Sequence, residues 1–210
     1  MTAHARPGDA SGRTAAAPPL AERQEARRRR ILHASARLAG RGGFDAVQMR
    51  EVAELSGVAL GTLYRYFPSK VHLLVATMRD RLERLHATLR ERPPAGDGPA
   101  ERVAQALMGA FGALQREPHL ADAMVRALTF ADRSVSSEVE EVCRLTTAII
   151  VDATGLDDLG PERTAAVRVI EHTWHSVLIA WLSGRASIEQ VRHDVETACR
   201  LLDPPCAGRH

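Results

Sequence analysis

The chain has 210 residues, 45% of them hydrophobic, with 28 Lys+Arg against 26 Asp+Glu for a net charge of +2. That length suits one large domain, or a small domain beside a medium one. The longest aliphatic and aromatic run, Val177 to Leu182, is only six residues, where a membrane helix needs roughly 20. Residues 1–21 are rich in Ala, Pro and Gly and lack the apolar stretch of a secretory leader. The three cysteines, Cys143, Cys199 and Cys206, lie far apart and form no C-x-x-C pair, which points to unpaired thiols in a reducing cytoplasm. The small net charge hides an asymmetry: residues 1–90 carry 16 basic and 8 acidic residues, residues 91–210 carry 12 and 18. A basic head on an acidic body is the distribution expected of a chain that meets nucleic acid at one end only.

In chain order, residues 1–21 read as a disordered tail. A helix is predicted from about Glu22 to Arg41, with Ile31, Ala34, Leu38 and Ala39 at helical spacing and Gly42-Gly43 ending it. Its run Arg27-Arg28-Arg29-Arg30 fits a solvated face or contact with flanking phosphates equally well. Residues 48–67 read as two short helices joined by a Ser56-Gly57-Val58 turn, where Gly57 supplies positive φ at little steric cost. Val52, Ala53, Val58, Leu63 and Phe67 are the apolar positions able to close a small core between crossing helices. The outward positions Gln48, Arg50, Thr62, Tyr64, Tyr66 and Lys70 are donors or amphipathic rings rather than acids. This is the plan of a helix-turn-helix, whose second helix enters the major groove while flanking elements hold phosphates. A plain helical hairpin with packed tyrosines is the alternative. Ser69 is placed as N-cap of a long connecting helix to about Arg90, carried by Leu73, Leu74, Met78, Leu82, Leu85 and Leu89. Lys70 in its first turn suits a phosphate.

At these residues the chain resembles a known family. Gly61-Thr62-Leu63-Tyr64-Arg65-Tyr66-Phe67-Pro68-Ser69-Lys70 is similar, almost letter for letter, to the signature of the TetR family of bacterial regulators. The resemblance implies Arg50 and Thr62 near base edges, with Gln48, Tyr64, Tyr66 and Lys70 on the phosphate backbone. Leu60 and Gly61 would lie near the groove floor. Gln48 departs from the pattern: many relatives carry Thr or Ser there, and a hydroxyl caps a helix more reliably.

Past the break Pro93-Pro94-Ala95-Gly96-Asp97-Gly98-Pro99, everything reads as helix, without strand-like alternation. Residues 100–116 carry Val103, Leu107, Phe111 and Leu114, and Pro118 opens a segment through Phe130. Ser137 with Glu140 forms a capping box for a helix to about Thr154. Pro161 opens another to Ser183, and Ser187 with Gln190 forms a second box for a last helix to Leu202. The predicted fold is all-α, of about nine helices. A helix-turn-helix domain (22–68) and a connecting helix (69–92) precede a ligand-binding and dimerisation domain (99–203), with a flexible tail at 204–210.

Two broad apolar stripes on the last helices, including Val167, Ile170, Val177, Leu178, Val191, Val195 and Leu202, are assigned to a homodimer interface built as a four-helix bundle. Packing in the chain's own core is the alternative for them. Met108, Phe111, Met124, Arg126, Phe130, Trp174 and Trp181 are the candidate ligand pocket, apolar bulk with one cation that needs an anionic partner such as Asp122 or Glu171. The stretches Val47 to Arg50, Gly61 to Val75, Arg126 to Asp132, Ser136 to Val139, Ala180 to Leu182 and Arg185 to Ser187 resemble the actinobacterial members of the family that repress cholesterol catabolism. The likeness spans about 24–203 and is weakest at 91–101 and 152–164. It implies release from a palindromic double-stranded operator by a steroid-derived or fatty acyl-CoA effector. A regulator of an efflux or unrelated metabolic operon sensing another hydrophobic ligand remains open, as does an architectural DNA-binding protein. No cofactor or metal is expected: His172 and His175 are three apart, where the metalloprotease motif needs four with a glutamate between. No phosphate loop, nucleophile elbow or pair of catalytic acids stands out, so the chain does not read as an enzyme.

Overall fold

The computed structural model describes residues 19–203, and the expected tails at 1–18 and 204–210 lie outside them. Among the described residues nine α-helices follow one another: α1 Leu20–Ala46, α2 Met49–Ser56, α3 Leu60–Tyr66, α4 Lys70–Glu91, α5 Pro99–Arg116, α6 Pro118–Thr129, α7 Ser136–Thr154, α8 Gly160–Leu182 and α9 Ile188–Cys199. Helix α1 already begins at Leu20, two residues before the start predicted from the sequence. No helix among the described residues is long and apolar enough to cross a membrane. Cys143 and Cys199 are free thiols, the first exposed and the second buried.

Glycines set the joints of the head. Gly57 takes φ 66° and ψ 37°, and its N–H closes the end of α2 on the carbonyls of Ala53 and Glu54. Gly42 and Gly43 end the regular part of α1 as expected: both leave helical φ/ψ, and Phe44–Ala46 follow beyond the kink as the connection towards α2. Gly43 sits at φ 70° and ψ −156°, a region open essentially to glycine alone. A Cβ there would stand 3.1 Å from Asp122 Oδ2, so the kink lets α6 come close. Ser69 caps α4 as expected, accepting from His72 N–H. Pro99, Pro118 and Pro161 stand in first turns, where a missing N–H costs nothing.

Two caps differ from expectation. Helix α7 begins at Ser136 without a side-chain cap, and the Ser137 hydroxyl turns to Glu138 rather than to the helix N-terminus. A 3-10 turn at Arg133–Val135 leads straight into α7, with Asp132 accepting from Ser134 N–H, so the chain is already helical where a cap would act. At α9, Ser187 accepts from Gln190 N–H, but the Gln190 amide donates forward to Asp194 at 2.8 Å instead of closing the box.

The interior has two centres. One gathers Ile31, Leu32 and Leu38 of α1, Val52, Leu63 and Phe67 of the helix-turn-helix, and Leu73 and Leu74 of α4. It continues into Leu120, Ala123, Met124 and Ala127 of α6 and Val142 of α7. The head's core is thus shared with the body. The second joins α5, α7, α8 and α9 through Val103, Leu107, Phe111, Ile150 and Cys199. This second core contains Val167, Ile170, Val177, Leu178, Val191, Val195 and Leu202, all between 0 and 5% exposed. The assignment of these seven to an interface between copies is therefore corrected: they face their own subunit. An apolar stripe announces burial, not the identity of what buries it, and here α8 and α9 cover each other, with α5 against α9 and α6 and α7 against α8.

Candidate nucleic-acid interface and effector cavity

Helices α2, with its N-cap, α3 and the start of α4 carry all eight residues assigned to DNA. Gln48, Arg50 and Gly61 are exposed, Tyr64 is 45% exposed, and Leu60, Thr62, Tyr66 and Lys70 are half-buried. Leu63 and Phe67 between them are buried, so α3 is pinned by one face and presents the other. Gln48 occupies the N-cap of α2 without capping it. Its amide donates instead to Asp45 O at 3.0 Å. The Lys70 ammonium donates to Phe44 O at 3.1 Å and lies 4.2 Å from the Phe44 ring centroid. Both side chains therefore meet the α1–α2 connection, and that connection fixes the starts of α2 and α4 relative to each other.

The opposite side of the same connection meets α6. Arg126 Nη1 lies 3.3 Å from Asp45 Oδ2 and 3.7 Å from Asp122 Oδ2, and its guanidinium is 5.1 Å from the Phe44 ring. Asp122 is the partner the sequence allowed for, Asp45 is one it did not suggest, and Glu171 instead bonds Thr147. Arg126 is thus a head-to-body contact at the surface, outside the lining of the cavity between α4 and α8. His72 makes a second link. Its Nδ1 is 2.9 Å from Ser69 Oγ and its Nε2 is 3.1 Å from Ser134 O. A carbonyl only accepts, so Nε2 carries a hydrogen.

A cavity of about 280 Å³ opens between α4, α5, α6, α7 and α8, near the small end of the range for small-molecule sites. Met124 and Trp174 line it, two of the seven residues expected. Phe111 is fully buried and meets Trp181 edge-on, with centroids 4.9 Å apart, in the neighbouring core. Met108 borders an open cleft between α5 and α9, and Phe130 is 66% exposed past the end of α6. The physical reason is side-chain volume. The hollow lies where α5 and α6 present Ala106, Ala110, Ala113 and Ala121, and bulky residues fill space where they sit. The sequence did contain a signal for the α4 wall. Met78, Leu82 and Leu85, read as a plain helix spine, line the cavity. Polar groups collect on one side: Arg81 grips Glu117 with two bonds of 3.0 and 2.9 Å, and Arg84 holds Asp80 at 2.8 Å.

Two family models match this layout. Residues 31–77 match "Bacterial regulatory proteins, tetR family", and residues 96–202 match "Tetracyclin repressor-like, C-terminal domain". The chain belongs to the TetR family. Among its TetR-family relatives, the HTH-type transcriptional repressor KstR of Rhodococcus jostii (strain RHA1) is 44% identical over 85% of this chain and 84% of its own. KstR of Mycobacterium tuberculosis (strain ATCC 25618 / H37Rv) is 42% identical over 86% and 82%. The crystal structure of a TetR transcriptional regulator from Rhodococcus sp. RHA1 superposes with a TM-score of 0.80 at 37% identity, covering 86% of this chain and 97% of that one. The fold is also that of the regulator FadR from Bacillus subtilis, crystallised with stearoyl-CoA, at a TM-score of 0.60 and 18% identity over 83% and 96%. This TetR-family chain is a DNA-binding transcription regulator of the repressor type and not an enzyme.

Proposed function

We propose that the protein represses transcription as a homodimer on a palindromic operator and is released when an apolar small molecule, of the steroid or fatty acyl-CoA class, enters the cavity between α4 and α8. One observation carries the effector reading: α6 belongs to both halves of the molecule. Leu120 and Met124 line the cavity and also sit in the head's core, and Arg126 two residues on reaches Asp45. A ligand that spreads the cavity displaces the helix that holds the α1–α2 connection. It shifts the DNA-binding equilibrium only by its differential affinity for the two arrangements.

In this reading Arg50 and Thr62 meet base edges, Leu60 and Gly61 lie near the groove floor, and Gln48, Tyr64, Tyr66 and Lys70 hold phosphates. Two heads spaced for successive major grooves, roughly 34–36 Å apart, need two subunits. The outward faces of α8 and α9, with Val169, His172, Ser176 and Ile188 exposed, are the surface available to a second copy. Sedimentation at micromolar concentration should give a dimer, and a monomer there removes this part. For the effector, native mass spectrometry of the purified protein is combined with operator binding in the presence of candidate hydrophobic acids and their CoA esters. Release by a ligand that Ala110→Trp excludes supports the reading. Indifference of the DNA complex to every such ligand returns the protein to an architectural role.

A further inference from the structure

The body holds the start of α4 through one side chain. His72, 8% exposed, lies in the first turn of α4, two residues after Lys70. Its Nδ1 meets the Ser69 hydroxyl at 2.9 Å, and Ser69 Oγ also accepts from the His72 N–H at 3.4 Å, so the residue and its helix cap interlock. On the other side of the ring, Nε2 donates to Ser134 O at 3.1 Å. Ser134 is itself held in place: Asp132 Oδ1 accepts from its N–H at 2.8 Å and from its hydroxyl at 2.6 Å. The next residue, Val135, is 2% exposed in the core that also holds Leu73 and Leu74. The turn then runs into α7, whose Val142 enters the same core and whose Thr146 and Ile149 line the apolar cavity. Ser134 O is therefore a fixed point of the body. Among the described residues, no other side-chain hydrogen bond ties residues 69–72 to the body, since Lys70 bonds Phe44 of the head.

We propose that His72 is a positioning residue for operator binding: by holding the first turn of α4 on Ser134, it places the Lys70 ammonium against its phosphate. The inference rests on the phosphate role given to Lys70 above. One N–H of Lys70 is committed to Phe44 O, and an ammonium has two more to offer a phosphate oxygen. A charge-assisted bond of this kind needs a donor–acceptor distance of about 2.7–2.9 Å. A first turn released from Ser134 can shift by enough to lose that bond without losing its helix. His72 is buried and acts through Lys70, touching no DNA itself. A ring that only filled space would instead loosen the whole head, and would weaken DNA binding whether or not Lys70 were present.

The test is a double-mutant cycle on the full chain, read by fluorescence anisotropy with a DNA duplex that the wild type enriches from a random-sequence pool. His72→Asn keeps a partner for Ser69 but is too short to reach Ser134 O. His72→Gln brings an amide nitrogen to the position of Nε2. His72→Leu replaces the Asn variant if that fails to fold, which circular dichroism at the assay temperature reports. His72→Asn should weaken binding about threefold to tenfold, as the loss of one hydrogen bond allows, and should lower the salt slope toward that of Lys70→Ala. His72→Gln should stay within about twofold of the wild type, and His72→Asn added to Lys70→Ala should change affinity by less than about twofold. Unchanged affinity in His72→Asn overturns the proposal, and so does an equal loss in the Asn and Gln variants. Losses that add fully to that of Lys70→Ala, or a weaker variant with the wild-type salt slope, overturn it in favour of packing. A salt slope that Lys70→Ala leaves untouched removes the phosphate reading of Lys70, and this inference with it.

Discussion

Replacing Arg126 by alanine tests whether the head and body communicate through the α1–α2 connection. The side chain makes two ion pairs, at 3.3 Å to Asp45 and 3.7 Å to Asp122, and stacks 5.1 Å from the Phe44 ring, while remaining 41% exposed. Solvent-accessible pairs contribute about 0.2–1 kcal/mol each, and an exposed cation–π contact about 0.5–1 kcal/mol. The three share one guanidinium and do not add fully, which gives a loss of about 1–2 kcal/mol. For a chain of this size that lowers Tm by about 2–8 °C. Part of the loss is electrostatic. At 1 M salt, with a screening length of about 3 Å, the difference between wild type and variant should shrink. Arg126→Lys, keeping charge without the planar fork, should fall between the two. The connection also carries Gln48 and Lys70, so operator affinity at fixed salt should weaken about threefold to tenfold, the equivalent of about 0.7–1.4 kcal/mol. Anisotropy with a labelled operator duplex and thermal unfolding measure both effects. An unchanged Tm, or a gap as wide at high salt as at low, would refute the assignment of Arg126 as the link.

Other outcomes follow from single positions. Lys70→Ala should weaken binding to all DNA sequences alike and lower the salt slope by about one, and a change in sequence preference would contradict its phosphate role. Gly43→Ala forces a Cβ into a backbone region open essentially to glycine, 3.1 Å from Asp122 Oδ2. It should cost about 1–3 kcal/mol, and a neutral effect in denaturant unfolding would show that the kink relaxes. His175 is held below its ordinary 6.5 first by burial and then by the neighbouring His172 charge. Its neutral form is the one the fold favours, so this contribution is full above pH 6.5 and is lost as pH falls through the depressed native value. His175→Gln should flatten the stability profile below pH 6.5, and superimposable profiles would exclude the effect.

Local signals made the head legible. Gly57, the buried Val52, Leu63 and Phe67, and the Ser69 cap all act within a few residues of one another. Spacing alone therefore determined the two helices, their turn and the exposed donors, and the resemblance carried by Gly61 to Lys70 gave them a family. Helix number, class and most boundaries in the body came from the same local rules, with Pro99, Pro118 and Pro161 opening helices where they stand.

Only tertiary packing decided what each apolar face meets. Val167 through Leu202 looked like a surface for another subunit, but α8 and α9 pack on each other and on α5, α6 and α7 of the same subunit. Phe111 and Trp181 looked like pocket walls and instead fill the core, while alanines that drew no notice leave the space open. Arg126, placed by the sequence among the pocket residues, instead bridges to Asp45, 81 residues away in the chain. Hydrophobic periodicity states that a face leaves water, because burial free energy depends on area and not on partner. Cavities, salt bridges and clefts depend on which two surfaces come together. Each is a difference between neighbours, and those neighbours are chosen by the whole chain.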